Sequence, residues 1–187
     1  MKRLERGFYC RTTLRVAKEL LGKYLVKGNM IGRIVETEAY IGTRDKASHA
    51  SWRKKETCFP MWGVGGFSYV YFTYGMHHMF NVVAEKEGRP CAVLIRALEP
   101  VENIVGATNG PGRFTKTLRI DKKHNNVDLI KSYDLYIAED LDNCSHFKIA
   151  RSKRIGVDYA GTYKDKLWRF YIDGNKFVSR QTKLKSV

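Results

Sequence analysis

The sequence lacks any long apolar run, and this absence excludes a membrane-spanning helix. The longest uninterrupted apolar stretch is residues 91–95 (CAVLI), whereas a helix needs about 20 apolar residues to cross a bilayer. The basic start of the chain (MKRLER) is not followed by an apolar segment of the length that a secretory signal needs. We therefore expect an intracellular protein with no membrane partner.

Cysteine is also scarce, and its spacing excludes two common kinds of small-domain architecture. Cys10, Cys58, Cys91 and Cys144 lie far apart, and no CxxC pair occurs. Neither a zinc site nor a disulfide framework is therefore indicated. We expect reduced, mostly buried thiols.

The composition does not have the low hydrophobic content of a disordered chain. Hydrophobic residues make up 43% and charged residues 28% of the 187 residues, which is typical of globular proteins. A chain of this length buries roughly two thirds of its unfolded surface. We predict one domain over residues 1–187, with 181–187 as a flexible tail.

Negative charge is in short supply, and the imbalance points to an anionic partner. The 19 acidic residues stand against 34 Lys and Arg, which gives a formal net charge of +15. The excess lies at the two ends of the chain, +6 in residues 1–30 and +8 in 148–187. Nucleic acid is the leading partner for so basic a domain. An acidic lipid surface and a merely basic protein remain alternatives.

The hydrophobic patterning predicts many short strands and few helices. An apolar stripe over residues 14–21 predicts a short helix that Gly22 ends, and residues 113–119 predict another. Strands are predicted at 23–27, 30–41, 67–74, 80–85, 91–98, 135–138, 147–150 and 168–172. We therefore expect an α+β fold, a single domain with a curved, mostly antiparallel β-sheet, flanking short helices and a protruding β-hairpin.

Residues 33–40 (RIVETEAY) place two carboxylates in a β-rich run. Side chains alternate in a strand, so Glu36, Glu38 and Tyr40 share one face. One carboxylate could serve as a general base for a water molecule beside the flat wall of Tyr40. Alternatively, both could pair with Lys or Arg on a solvent-facing strand edge. Arg96 interrupts an apolar run, and a buried Arg needs an anionic partner.

Residues 69–76 (YVYFTYGM) are rich in tyrosine. Tyr69 and Tyr71 share one face of the predicted strand, and Tyr74 lies near a hairpin tip. Aromatic rings stack on bases taken out of a duplex, and a tip aromatic can wedge between base pairs. Tyrosines at this spacing are also typical of an ordinary packed core. His49 could contact a ligand or be a plain loop residue.

Together these segments resemble the alkyladenine (3-methyladenine, methylpurine) DNA glycosylase family. The resemblance runs from about residue 14 to 180. It is carried, in the family's order, by 33–40, 47–49 (ASH), 69–71 (YVY), 74–76 (YGM), 81–82 (NV), 94–100 (LIRALEP), 109–112 (NGPG), 154–157 (RIGV) and 169–172 (RFYI). It implies a monofunctional base-excision repair enzyme that flips an alkylated or deaminated purine from DNA and hydrolyses its N-glycosidic bond.

The resemblance also implies catalytic and base-binding roles. Glu38 would take a proton from the water that attacks the sugar, and Arg96 would hold that water and the carboxylate. The base would lie between Tyr40 and Tyr71, with His49 at its edge. The remaining base-binding residue is Asn81, at the pocket floor, where it would disfavour the extra amino group of guanine.

Further implications of the resemblance concern DNA and cofactors. Tyr74 would enter the minor groove in place of the flipped nucleotide, with Met76 beside it, and Glu36 would make a structural hydrogen bond. The implied partner is double-stranded DNA containing damaged purines, bound by a monomer. Simple hydrolysis requires no metal or organic cofactor. The implied location is the bacterial cytoplasm and nucleoid, or the nucleus of a eukaryote.

One segment departs from the family's pattern. Residues 51–66 (SWRKKETCFPMWGVGG) lack its usual Thr-x-Arg-Asn sequence. The aromatic residues Trp52, Phe59 and Trp62 could reshape one pocket wall or only anchor the loop. The resemblance therefore leaves open which lesion fits.

Two other functional classes remain open from the sequence. A metal-dependent nuclease could use Glu36, Glu38, Asp45 and His49 as ligands. A DNA-binding module without catalysis would bind DNA with strong salt dependence and release no base.

Overall fold

A computed structural model describes residues 1–73, 75–139 and 146–179. Its architecture is α+β, and the strands of the described residues pair antiparallel in one sheet that curls into a half-barrel. The strands are β1 (Lys2–Arg3), β2 (Tyr24–Lys27), β3 (Met30–Ile41), β4 (Ser68–Thr73), β5 (His77–Val83), β6 (Cys91–Glu102), β7 (Leu135–Glu139), β8 (Ile149–Ser152) and β9 (Arg169–Ile172). The predicted fold class is confirmed.

The helices are short and lie beside the sheet, as predicted. They are α1 (Arg6–Tyr9), α2 (Thr13–Glu19) and α3 (Pro111–Thr117), with 3₁₀ segments at His49–Ser51, Lys55–Trp62, Lys122–His124 and Gly161–Asp165. α2 buries Val16 and Ala17 completely. The chain then turns into β2 at Gly22, whose φ of +83° favours glycine.

β3 is the central strand and is held on both edges. The main path of the sheet is β1-β7-β2-β3-β6-β5-β4, and β9 pairs with both β3 and β8. Along one edge β3 pairs with β6. Along the other edge it pairs first with β2 and then, over Glu36 to Glu38, with β9. The candidate carboxylates therefore lie where β3 has a neighbour on each side.

Alternation along β3 separates the core from the candidate site. Val35 and Ala39 are fully buried in the main hydrophobic core. Between them the Thr37 hydroxyl donates to the Ala17 carbonyl of α2 at 2.8 Å. These residues face α2, so the two carboxylates between and beside them point to the opposite side of the sheet.

β4 and β5 form the predicted protruding hairpin. Phe72 is 53% exposed near its end and Met76 is 67% exposed at its turn. Tyr74, between them, lies outside the described residues, as does the predicted tail at 181–187. That the whole chain forms one domain stays a prediction.

In the described ranges, no helix is long and apolar enough to cross a membrane. Of the cysteines described there, Cys58 and Cys91 are buried, Cys10 is exposed, and all three are free thiols.

Candidate active site

Two irregularities in the pairing of β3 with β6 shape the site. The register shifts between Ile34 and Glu36, and again between Glu36 and Thr37, which leaves Arg96 without a partner residue on β3. Such bulges re-aim side chains. Arg96 turns onto the face of Glu36 and Glu38 and contacts both.

Glu38 is fully buried and held by three groups. Its Oε2 accepts a hydrogen bond from the Tyr40 hydroxyl at 2.8 Å and lies 3.2 Å from Nη1 of Arg96. Its Oε1 accepts from the backbone N–H of Ile155 at 2.8 Å. A carboxylate offers about four acceptor positions, so Oε1 keeps one for a further donor. Tyr40, Arg96 and Ile155 line a cleft. Glu38 contacts all three and does not itself line the cleft, so it lies directly behind them.

Glu36 is saturated by other contacts, which makes it a structural group. Its Oε1 accepts from Nε of Arg96 at 2.9 Å, Nε of Arg169 at 2.7 Å and Oγ of Ser179 at 2.9 Å, and its Oε2 accepts from the Ser179 N–H at 2.7 Å. Burial raises the pKa of Glu36, but the charges of Arg96 and Arg169 outweigh it, so the pKa is lowered. The structural role expected for Glu36 is confirmed.

Arg96 is a permanent buried cation between the two carboxylates. Only 7% of its surface is exposed. Burial lowers the pKa of Arg96, but the charges of Glu38 and Glu36 raise it by more, so the net shift is upward. The expectation that Arg96 needs an anionic partner is confirmed, and it has two.

The cleft has a volume of about 1160 Å³, and tyrosines form part of its wall. Tyr40 and Tyr71 both line it. Burial first, and then the charge of Glu38, raise the pKa of each phenol. Both rings are therefore neutral and suited to stacking against a flat ligand.

His49 enters the same cleft as a neutral ring. Its Nδ1 lies 2.7 Å from the Tyr69 hydroxyl. Burial and then Arg53 lower the pKa of His49 to about 3. Among the described residues the Tyr69 hydroxyl proton has no other acceptor, so we assign this bond as Tyr69 donating. The Nε2 of His49 then carries its proton and is a hydrogen-bond donor.

The lowered pKa of His49 predicts a pH-dependent stability. Between pH 6.5 and 3 the unfolded imidazole binds a proton that the folded one does not, so stability rises with pH in this window. We expect the protein to lose about 2 kcal/mol through His49 between pH 7 and pH 5. Urea unfolding of wild type and His49→Gln at both pH values tests this. An equal loss in the two proteins would contradict it.

Asn81 lines the cleft and is 3% exposed. Its amide nitrogen donates to the Tyr69 carbonyl at 3.0 Å and the Met79 carbonyl at 3.3 Å. Both bonds fix the orientation of the carboxamide. Its Oδ1 accepts no hydrogen bond from the described residues.

The buried pair of Asp45 and Arg154 supports the site and was not foreseen. Arg154 binds Asp45 through two bonds of 2.6 and 2.8 Å, and both side chains are fully buried. Arg154 also donates to the Ala39 carbonyl at 2.8 Å and lies 4.8 Å from the centre of the Tyr40 ring. The pair therefore joins the segment that carries Ile155 to β3.

The divergent segment 51–66 contributes one wall and one anchor. Trp52 lines the cleft and makes an edge contact with His49, with ring centres 5.1 Å apart. Trp62 packs against the smaller hydrophobic cluster around Cys58 and Met61. Phe59 is 54% exposed and does not line the cleft.

The described carboxylates are engaged in ways that disfavour a metal-dependent nuclease. Glu36 and Glu38 are bound by Arg96, and Asp45 by Arg154. Over residues 1–73, 75–139 and 146–179, no group of three or more His, Cys, Asp or Glu side chains is placed to hold a metal ion. The four ligands of that hypothesis do not converge.

The structure thus brings five of the expected site residues to one cleft, with Glu38 directly behind it. Those lining the cleft are Tyr40, His49, Tyr71, Asn81 and Arg96. Met76 lies on the exposed hairpin instead, and Tyr74 lies outside the described residues.

The chain is similar to a known protein family and to several named proteins. The family model described as methylpurine-DNA glycosylase matches residues 7–176. A Legionella pneumophila (strain Corby) protein is 50% identical over 184 residues, covering 96% of this chain and 100% of the relative. A Borreliella afzelii protein is 47% identical, covering 95% of this chain and 100% of the relative. A Clostridium novyi protein is 45% identical, covering 97% of this chain and 100% of the relative. All three bear the name "Putative 3-methyladenine DNA glycosylase". The chain belongs to the methylpurine-DNA glycosylase family.

Proposed function

We propose that this protein is a monofunctional DNA-3-methyladenine glycosylase of base-excision repair. It flips an alkylated or deaminated purine out of duplex DNA and hydrolyses the N-glycosidic bond with a water activated by Glu38. The observation that carries the proposal is the contact of Glu38 with Tyr40 and Arg96 immediately behind a tyrosine-walled cleft. Family membership supports the reaction class.

Glu38 is the general base of this proposal. Its Oε1 keeps an acceptor position beside Ile155, which lines the cleft. A water there gives a proton to Oε1 as its oxygen attacks the anomeric carbon, and the bond to the purine breaks with its electron pair leaving on the base. The negative carboxylate also stabilises the positive charge that develops on the sugar. Arg96 keeps the carboxylate oriented and contacts the water.

The flipped purine stacks between the neutral rings of Tyr40 and Tyr71. His49 donates from Nε2 to an acceptor on the edge of the base, which helps a neutral purine to leave. Asn81, fixed by its two backbone carbonyls, occupies the floor and disfavours the exocyclic amino group of guanine. A cationic purine leaves more readily, because it departs as a neutral molecule.

DNA is held mainly through phosphates. The net charge of +15 favours binding to the duplex backbone and makes it salt-dependent. Tyr74 takes the space of the flipped nucleotide from the minor groove, and exposed Met76 flanks it. Damaged bases are selected in part because they cost less to unstack. The enzyme acts as a monomer in the compartment that contains the cellular DNA.

An excision assay in EDTA tests the proposal against both alternatives. Duplexes carry 3-methyladenine, 7-methylguanine, ethenoadenine or hypoxanthine. We expect release of free purine from at least one of them, leaving an unbroken strand that alkali then cleaves at the abasic site. Strand cleavage that EDTA abolishes would indicate a nuclease. Tight binding of every duplex with no free base would indicate a binding module.

A further inference from the structure

The buried charges behind the cleft balance one another. Three carboxylates pair with three guanidinium groups: Glu36 and Glu38 with Arg96, Glu36 also with Arg169, and Asp45 with Arg154. This network therefore contributes little net charge to a ligand in the cleft, and any excess must come from other lining residues.

Arg53 supplies such an excess charge. It lines the cleft and forms no ion pair with a described carboxylate. Its guanidinium lies 5.0 Å from the ring centre of Trp52 and 5.7 Å from that of Tyr71, and its buried Nε has no hydrogen-bond partner in the described part of the chain. The positive charge of Arg53 is also, after burial, the second cause of the lowered pKa of His49.

A guanidinium group lies close to each of the two tyrosine rings, Tyr40 and Tyr71. Arg154 lies 4.8 Å from the Tyr40 ring centre, and Arg53 lies 5.7 Å from that of Tyr71. A ring attracts a cation through its quadrupole. A cationic base stacked on either ring, however, also lies near the guanidinium at that ring, and the two positive charges repel each other. Arg154 is neutralised by Asp45, whereas Arg53 has no such partner among the described residues. The other basic residues that line the cleft outside the ion pairs are exposed, so water screens their charges more strongly than that of half-buried Arg53: Arg44 and Lys46. The repulsion therefore comes chiefly from Arg53.

We infer that Arg53 is a specificity-determining residue that shifts the selectivity of the cleft toward neutral damaged purines and away from permanently cationic ones. The inference rests on the proposed function and names the lesion class that Arg53 favours. The guanidinium of Arg53 and a base stacked on Tyr71 would lie on the same ring, and solvent screens their charges only in part. One unpaired charge at this range changes the selectivity between neutral and cationic bases about tenfold, or about 1.4 kcal/mol.

Single-turnover excision of hypoxanthine, which is neutral, and 7-methylguanine, which is cationic, measures this selectivity. Comparing the ratio of the two rates between variants cancels the different intrinsic reactivity of the two bases. Arg53→Gln is expected to raise the ratio of 7-methylguanine to hypoxanthine excision about tenfold. Arg53→Lys, which keeps the charge, is expected to retain most of the wild-type ratio.

Lys54→Gln is the matched control. Lys54 neighbours Arg53 in the same loop but is exposed and does not line the cleft. The Lys54→Gln substitution removes the same net charge as Arg53→Gln, but the ratio of 7-methylguanine to hypoxanthine excision should stay at the wild-type value. An unchanged ratio in Arg53→Gln, or an equal fall in both rates, would overturn the inference. A ratio that moves equally in Lys54→Gln would also overturn it, since any surface charge would then suffice.

Binding measurements with inactive variants test this inference separately from the proposed function. Equilibrium affinities of Glu38→Gln and of Glu38→Gln with Arg53→Gln for the same two duplexes give the comparison without catalysis. Removal of Arg53 should favour the 7-methylguanine duplex relative to the hypoxanthine duplex. Failure of the wild type to release any base would refute the proposed function, whereas an unchanged ratio of affinities would refute the role of Arg53.

Discussion

Replacing Glu38 by glutamine is expected to slow single-turnover excision about 10³-fold while leaving the affinity for lesion-bearing DNA nearly unchanged. Glutamine keeps the shape of the side chain and its hydrogen-bonding oxygen, but it cannot take a proton from water or stabilise positive charge on the sugar. Arg96 keeps its other partner, Glu36, so the protein should stay folded. Excision under single-turnover conditions and equilibrium binding to the same duplex measure the two effects separately.

Glu36→Gln is the matched comparison, because Glu36 lies on the same face and shares Arg96. Its carboxylate accepts four hydrogen bonds and has no place in the proposed chemistry. We expect this variant to lose thermal stability more than Glu38→Gln, and to lose less excision at a temperature where both are folded. Full activity in Glu38→Gln would contradict the assigned base.

The largest expected effect on stability comes from breaking the pair of Asp45 and Arg154. Arg154→Met leaves the Asp45 carboxylate buried without its guanidinium, and removal of one partner of a buried pair costs about 3–5 kcal/mol. Excision should also fall, because the same segment positions the Ile155 N–H against Glu38. Urea unfolding of Arg154→Met and wild type measures the loss.

Lys153→Gln provides the control for this prediction. Lys153 precedes Arg154 in the chain and pairs with Asp165, but both side chains are largely exposed, at 62% and 54%. Water screens such a pair, so its loss should leave the unfolding midpoint almost unchanged. Equal midpoints for Arg154→Met and Lys153→Gln would show that the buried pair does not hold this wall of the cleft.

Periodicity located most of the sheet from the sequence. β3 begins and ends where predicted, at Met30 and Ile41, because a long run rich in Ile, Val and Thr has one stable arrangement in a sheet. β5 begins at His77, three residues before the predicted start at Phe80. Its early residues are polar or half-buried and are held by pairing with β4 rather than by a hydrophobic pattern. The 3₁₀ segment Lys55–Trp62 carried no periodic signal.

The site could be predicted only in part, because several of its contacts join distant residues. Alternation placed Glu38 and Tyr40 on one face. Arg96 and His49 stood out by residue type and surroundings, and the family resemblance then implied their roles. Nothing local links Asp45 to Arg154, which is 109 residues away, or Glu36 to Ser179. The position of Arg53 against Tyr71 depends on how the segment 51–66 folds, and that segment departs from the family's pattern.

The central claim is that water reaches Glu38 while a purine nucleoside lies in the cleft. A crystal structure of the protein bound to a duplex with an uncleavable abasic-site analogue tests it most directly. We predict the sugar analogue beside the Tyr40–Tyr71 slot, with one water about 2.6–3.2 Å from Oε1 of Glu38 and aligned with the anomeric position. A Glu38 that stays sealed behind Tyr40 and Arg96 with no water in reach, or a sugar lodged elsewhere, would contradict the claim.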